Sequence, residues 1–168
     1  PQAWRWPNDA TLSLEDCSHR KAGWWAFETV NPNLWGAGST HMARTGADIL
    51  LVQEMKVPDG YQKTAAEQAA RSLKWSLAIE PCLETKAGGE SVGTAIAVRN
   101  YIGMSIGKAV SASQRLHPTG HFAMKRIAAM GKGGCHMGSV YLYSMIGKGG
   151  VQAKCNRDLL ESRALPLP

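Results

Sequence analysis

The stretch Ala47-Asp48-Ile49-Leu50-Leu51-Val52-Gln53-Glu54 constrains the fold of this chain more than any other. From Ile49 to Val52 it is an unbroken run of branched aliphatic side chains. A strand carries such a run only where both faces of its sheet are covered. Helices or a second sheet must therefore pack on each side of it. The run ends abruptly in Gln53-Glu54. A carboxylate at the end of a buried strand is held rigidly at a sheet edge, which suits a hard cation such as Mg²⁺. Taken alone, a strand-terminal glutamate more often opens a solvated loop, so the other segments have to decide between the two.

At 168 residues the chain has the length of one domain, and 44% hydrophobic against 19% charged residues is a globular balance, not a disordered one. No apolar run is long enough to cross a membrane. The first residues, Pro1-Gln2-Ala3-Trp4-Arg5-Trp6, carry neither an initiator Met nor the apolar core of a secretion signal. The expectation is a piece of a longer intracellular protein. Cys17, Cys82, Cys135 and Cys155 contain no Cys-x-x-Cys pair, which argues against a zinc ribbon or a redox dithiol and for reduced thiols. Charge is uneven. Residues 1–99 hold 10 Lys/Arg against 11 Asp/Glu, and residues 100–168 hold 9 against 2. A basic second half suits either a phosphate-rich partner or a solvated cationic surface.

Residues 1–24 show no sustained periodicity and read as a leader or linker. Trp24 to Val30 is aromatic and β-branched, a strand that stops at Asn31-Pro32-Asn33, where proline removes a ladder donor. Residues 37–47 read as a short helix with Met42 and Ala43 inward and Gly46 as its stop. Lys63 to Leu73 reads as a helix, because Ala66, Ala69, Ala70 and Leu73 recur at spacings of three and four. Trp75–Ile79 and Thr94–Val98 read as strands. Phe122–Met130 and Cys135–Tyr143 form a hairpin across Gly131-Lys132-Gly133-Gly134, and Asn156 to Ser162 opens a helix. Gly-Lys-Gly-Gly recurs at 147–150 as a second similar turn. Strands outnumber helices, and an α/β sandwich fits the order.

Three chemical patterns fail on context. Gly89-Glu90-Ser91-Val92-Gly93 satisfies G-x-S-x-G, but a loop precedes it and a strand follows, the reverse of a nucleophile elbow. Gly103 to Ala109 is one residue short of a Walker loop and lacks its hydroxyl. His117 and His121 are separated by Pro118 and Gly120, which break the helix that would put both on one face for zinc. Oxygen ligands remain. Asn31 and Glu54 each follow a strand, and neighbouring parallel strands would bring both to one sheet edge, where they could hold Mg²⁺ with several waters. Tyr141 lies on a strand that reaches the same rim or fills the core as an ordinary aromatic.

In their order, Thr29-Val30-Asn31, Asp48 to Glu54, Gly93-Thr94-Ala95-Ile96-Ala97-Val98 and Ser139-Val140-Tyr141 resemble the endonuclease/exonuclease/phosphatase superfamily. The likeness extends over residues 27–162 and is greatest to the endonuclease domains of non-LTR retrotransposon polyproteins. It implies a four-layered α/β sandwich and hydrolysis of phosphodiester or phosphomonoester bonds with Mg²⁺ or Mn²⁺, acting on DNA and, for a retroelement product, in the nucleus. Carried over by position, Asn31 and Glu54 match the metal-site asparagine and glutamate, with Asn33 as the alternative to Asn31. Tyr141 matches the tyrosine that positions the scissile phosphate. The family also uses a Gly-Asp-x-Asn segment and an Asp-His pair, and neither occurs in these 168 residues. Residues 25–168 are therefore expected to be the truncated, N-terminal part of such a domain. Without those groups its rate would fall by several orders of magnitude. The alternatives are a non-catalytic nucleic-acid-binding remnant of a retroelement and, more remotely, a serine hydrolase using Ser91.

Overall fold

A computed structural model describes residues 18–84, 88–105, 120–129, 133–142, 154, 156 and 157. Described in chain order, the elements are α1 (Ser18–Lys21), β1 (Phe27–Val30), α2 (Trp35–Arg44), β2 (Ile49–Val52), α3 (Tyr61–Ser72), β3 (Trp75–Glu80), β4 (Leu83–Glu84), β5 (Glu90–Ser91), β6 (Thr94–Arg99), β7 (Met104–Ser105), β8 (Phe122–Ile127) and β9 (Cys135–Val140). The class is mixed α/β.

The run Ile49–Val52 forms β2, inside a four-stranded sheet of order β1-β2-β6-β3. It pairs in parallel with β1 (Val30 opposite Val52) and antiparallel with β6 (Val52 opposite Ala95). Period-two alternation divides its side chains between two cores. Leu50 and Val52, with Ala95 and Ala97 of β6 and Leu77 and Ile79 of β3, face α2 and α3. Ile49, Ile96 and Val98 face the second sheet, β7-β8-β9, through Ala123 and Ile127 of β8. Helices, sheet and sheet thus make three layers, with β2 and β6 in the middle one. That is why neither strand shows alternation in its sequence. Burying each such branched side chain contributes about 1.5–3 kcal/mol.

The helices follow the expected pattern with local corrections. In α3 the small Ala66 and Ala70 are buried and allow close approach to the sheet, whereas Ala69 is exposed. In α2 Met42 is buried but Ala43 is exposed, and the helix ends at extended Thr45 (φ −71°, ψ 141°), before Gly46. Successive helical residues point about 100° apart, so with Gly38 and Met42 inward Ala43 turns to solvent, and α2 starts at Trp35, not at residue 37. Trp75 fastens this layer: its indole Nε1 donates to the Met42 carbonyl at 3.0 Å, and the Arg99 guanidinium stacks 4.0 Å from its ring centre. The hairpin is present as β8 and β9, in register from Phe122–Val140 to Ile127–Cys135. Of the helix expected from Asn156 to Ser162 only residues 156 and 157 are described, both helical, as is residue 154 before it. Residues 1–17, the segment 147–150 expected to form a second turn, and residues 106–119 lie outside the described residues.

Residues 18–21, within the segment read as a leader, form a helical turn attached to the sheet. Asp48, 0% exposed at the start of β2, accepts hydrogen bonds from His19 Nε2 (3.0 Å), Arg20 Nε (2.7 Å), the Ala26 amide (3.0 Å) and the Tyr101 hydroxyl (2.5 Å). A buried carboxylate is tolerated only when its lone pairs are used in this way. Burial, and then the bond to Asp48, pushes the Tyr101 phenol far above its usual range. That keeps it a donor. No helix among the described residues is long and apolar enough to cross a membrane.

Candidate metal and phosphate site

The opposite end of β2 is built from backbone. The parallel ladder continues one step beyond the strands, with the Gln53 amide donating to the Val30 carbonyl at 2.9 Å. In this register Asn31 stands opposite Gln53, and Glu54 follows one residue further along the same end of the sheet, Asn31 exposed and Glu54 half-buried. Because β6 runs antiparallel to β2, the residues that precede it reach the same rim. Met55 and Lys56 donate their amides to the Gly93 and Val92 carbonyls at 3.0 and 3.3 Å. Gly93 in turn donates to the Gly120 carbonyl at 3.2 Å, which brings in the start of β8. The end of β9 arrives through the Ser139 hydroxyl, which donates to the Val52 carbonyl at 2.9 Å, and through the Tyr141 amide, which donates to the His121 carbonyl at 2.9 Å.

Segments 31–33, 53–57, 92–93, 120–121 and 139–141 thus converge on one rim. The sequence-assigned residues Asn31, Glu54 and Tyr141 all lie in it. So do Gly93, which begins the third segment that carried the resemblance, and Ser139, which begins the segment of Tyr141.

The rim is backbone-strained. Among the described residues, Asn33 (φ 62°), Glu54 (53°), Lys56 (49°), Val92 (60°) and Lys74 (67°) are the non-glycine residues in the left-handed region, and all but Lys74 sit here. Each costs on the order of 1–3 kcal/mol and persists only where its surroundings dictate it, a pattern concentrated at functional sites. Val92 is the least natural of them, since β-branched residues are disfavoured at positive φ. Two glycines make the crossing possible. A Cβ on Gly93 would lie 3.1 Å from the Lys56 amide nitrogen, and one on Gly120 would lie 2.6 Å from the Pro81 carbonyl oxygen.

The Asn33 amide oxygen accepts from the Lys56 ammonium at 2.6 Å, so it is already committed to a cation, whereas Asn31 is not so engaged. Among the described residues no group of three or more His, Cys, Asp or Glu side chains gathers as a metal site. The carboxylate and amide side chains in the rim segments are those of Glu54, Asn31, Asn33 and Gln53. Their chemistry fits a Mg²⁺ ion that keeps most of its shell as water and phosphate oxygen.

Other assignments resolve similarly. Ser91 lies on β5 and runs through Val92 and Gly93 into strand β6, so no helix N-terminus follows it. Cys82 and Cys135 are free thiols. His121 is not a surface residue: it is 1% exposed, with Nδ1 2.7 Å from the Tyr141 carbonyl oxygen. In the basic half, Lys125 faces Glu80 at 3.7 Å and Arg126 Nε donates to the Gly133 carbonyl at 2.7 Å. Sequence reading missed the Lys56–Asn33 pair and the His121–Tyr141 contact. The signals were there, in a lysine two residues after the strand-terminal glutamate and a histidine before an apolar strand. Neither pattern is selective by itself. Comparison of the chain with protein-family models, with curated proteins and with solved structures gave no match.

Proposed function

We propose that this chain is the N-terminal part of an endonuclease/exonuclease/phosphatase-type domain, a four-layered sandwich in its complete form, whose chemistry is Mg²⁺-dependent hydrolysis of phosphodiester bonds in DNA. The observation that carries the reading is the convergence of Asn31, Glu54, Gly93 and Tyr141 on one strained rim, although 110 residues separate the first from the last. A divalent cation bound there would supply electrostatic stabilisation of the phosphate and its leaving oxygen. Glu54 and Asn31 would hold it through oxygen, and Tyr141 would orient the phosphate. Ser139 and Gly93 hold the strands that carry these groups. Nicking of supercoiled plasmid in Mg²⁺, with Glu54→Gln as the control, tests the assignment. Metal-dependent nicking lost in Glu54→Gln supports it, and equal nicking by both proteins contradicts it.

The charge distribution, 9 Lys/Arg against 2 Asp/Glu in residues 100–168, favours one second reading, a nucleic-acid-binding module without turnover. It predicts duplex affinity that falls steeply as salt rises, with Glu54→Gln binding as tightly as the parent. Salt-independent affinity would remove it.

A further inference from the structure

One cluster of contacts at the rim involves neither Asn31 nor Glu54. His121 precedes β8 and stands opposite Tyr141, one step beyond the Phe122–Val140 pair, and it engages that residue three times over. Its carbonyl accepts the Tyr141 amide at 2.9 Å. Its ring Nδ1 lies 2.7 Å from the Tyr141 carbonyl oxygen. Its ring also stacks on the Tyr141 ring, with centroids 5.9 Å apart and planes 23° from parallel. A carbonyl oxygen only accepts, so Nδ1 carries the proton and the neutral imidazole keeps its lone pair on Nε2. Burial lowers the His121 pKa, against the opposing effect of the bond to Tyr141, which keeps the ring neutral.

An imidazole at a site 1% exposed is costly unless its polar atoms are used, and one use here is the bond from Nδ1 to the Tyr141 carbonyl. The connection runs further. Gly120, whose left-handed φ of 63° seats His121, accepts the Gly93 amide, and Gly93 accepts the amide of Met55, next to Glu54. Two backbone hydrogen bonds therefore connect the segment carrying Glu54 to the one carrying His121.

We propose that His121 is the positioning residue for Tyr141, setting where the phenol stands relative to Glu54 at the rim. The inference rests on the phosphodiesterase reading of Tyr141 only for its catalytic consequence. The geometry stands independently of it.

The test uses the full chain with ¹³Cζ-labelled tyrosine, the Tyr141 resonance being assigned by its loss in Tyr141→Phe. His121→Phe keeps a ring but removes the donor, and His121→Asn keeps a donor but removes the stack. Each is expected to shift or broaden the Tyr141 resonance while those of Tyr61 and Tyr101 stay in place. An unmoved Tyr141 resonance in a folded variant overturns the proposal. Long-range ¹H–¹⁵N spectra of the unaltered, ¹⁵N-histidine-labelled protein decide the matter even where both variants fail to fold. Protonation of His121 at Nδ1 is expected, and an Nε2-protonated ring overturns the proposal.

In plasmid nicking, both variants should lose roughly 10²-fold in kcat with KM nearly unchanged, the signature of a misplaced group rather than lost binding. Nicking that is absent from the parent, or undiminished in Tyr141→Phe, counts against the phosphodiesterase reading alone. The resonance and tautomer measurements need no substrate and still decide the role of His121.

Discussion

The two ends of β2 carry one carboxylate each and treat them in opposite ways. Asp48, at the start, is 0% exposed and accepts from the Arg20 guanidinium, the His19 ring, an amide and a phenol. Glu54, beyond the other end, is half-buried on left-handed backbone (φ 53°) and makes no hydrogen bond or ion pair with a described residue. One end spends its carboxylate on holding α1, β2 and the turn after β6 together. The other sets its carboxylate in strained backbone and leaves its oxygens uncommitted. A residue that contributes little to stability, and sits in a conformation that costs some, is what a ligand-binding position looks like, because function and stability compete at such sites.

The largest effect should come from Asp48→Ala. It strands Arg20, Tyr101 and the Ala26 amide in a buried site, and losing one partner of a buried ionic cluster costs about 3–5 kcal/mol. Urea unfolding should show this as a large drop in midpoint, and an unchanged midpoint would erase the contrast between the two ends. Next is Gly120→Ala, whose new Cβ would meet the Pro81 carbonyl oxygen at 2.6 Å on left-handed backbone. A loss of roughly 1–3 kcal/mol follows from that strain, again read by urea unfolding. Tyr101→Phe removes one charge-assisted bond to Asp48 and should cost about 1.5–3 kcal/mol. Glu54→Gly sharpens the comparison from the other side. Relief of left-handed strain, about 1–2 kcal/mol for a non-glycine residue, should leave the protein as stable as the parent or more so, while metal-dependent nicking disappears. A clear loss of stability would mean that Glu54 is as structural as Asp48.

The smallest expected effect concerns pH. The folded-state pKa of His121 is depressed below its ordinary 6.5, so the native protein binds fewer protons than the unfolded chain as pH falls. Stability from the neutral ring is full above 6.5 and is lost as pH falls through the folded value. Urea midpoints measured downward from neutral pH should therefore fall less in His121→Phe than in the parent.

How much of this was legible in the sequence follows the same division. Strands β2, β3 and β6, helix α3 and the β8–β9 hairpin were readable because continuous apolar runs, helical spacing and glycine turns are local signals. Glu54 and Asn31 were readable as strand ends, and their placement at the same end of the sheet follows from parallel pairing of β1 with β2. Asp48 was not readable. It sits within the most informative stretch of the chain, yet its partners His19, Arg20 and Tyr101 lie 28 to 53 residues away in sequence. His19 and Arg20 fall in a segment without periodicity, so the reading of residues 1–24 as a leader gave no hint that a turn within it is fastened to the sheet. The same holds for His121, whose role is visible only once β8 and β9 are in register.

The most direct test of the central claim is paramagnetic broadening by Mn²⁺, followed residue by residue in amide spectra of the full chain. The account predicts that substoichiometric Mn²⁺ broadens the resonances around Asn31, Glu54 and Tyr141, spares those around Asp48, and loses this selectivity in Glu54→Gln. Broadening that is diffuse, that centres on the Asp48 end, or that persists unchanged in Glu54→Gln would contradict it.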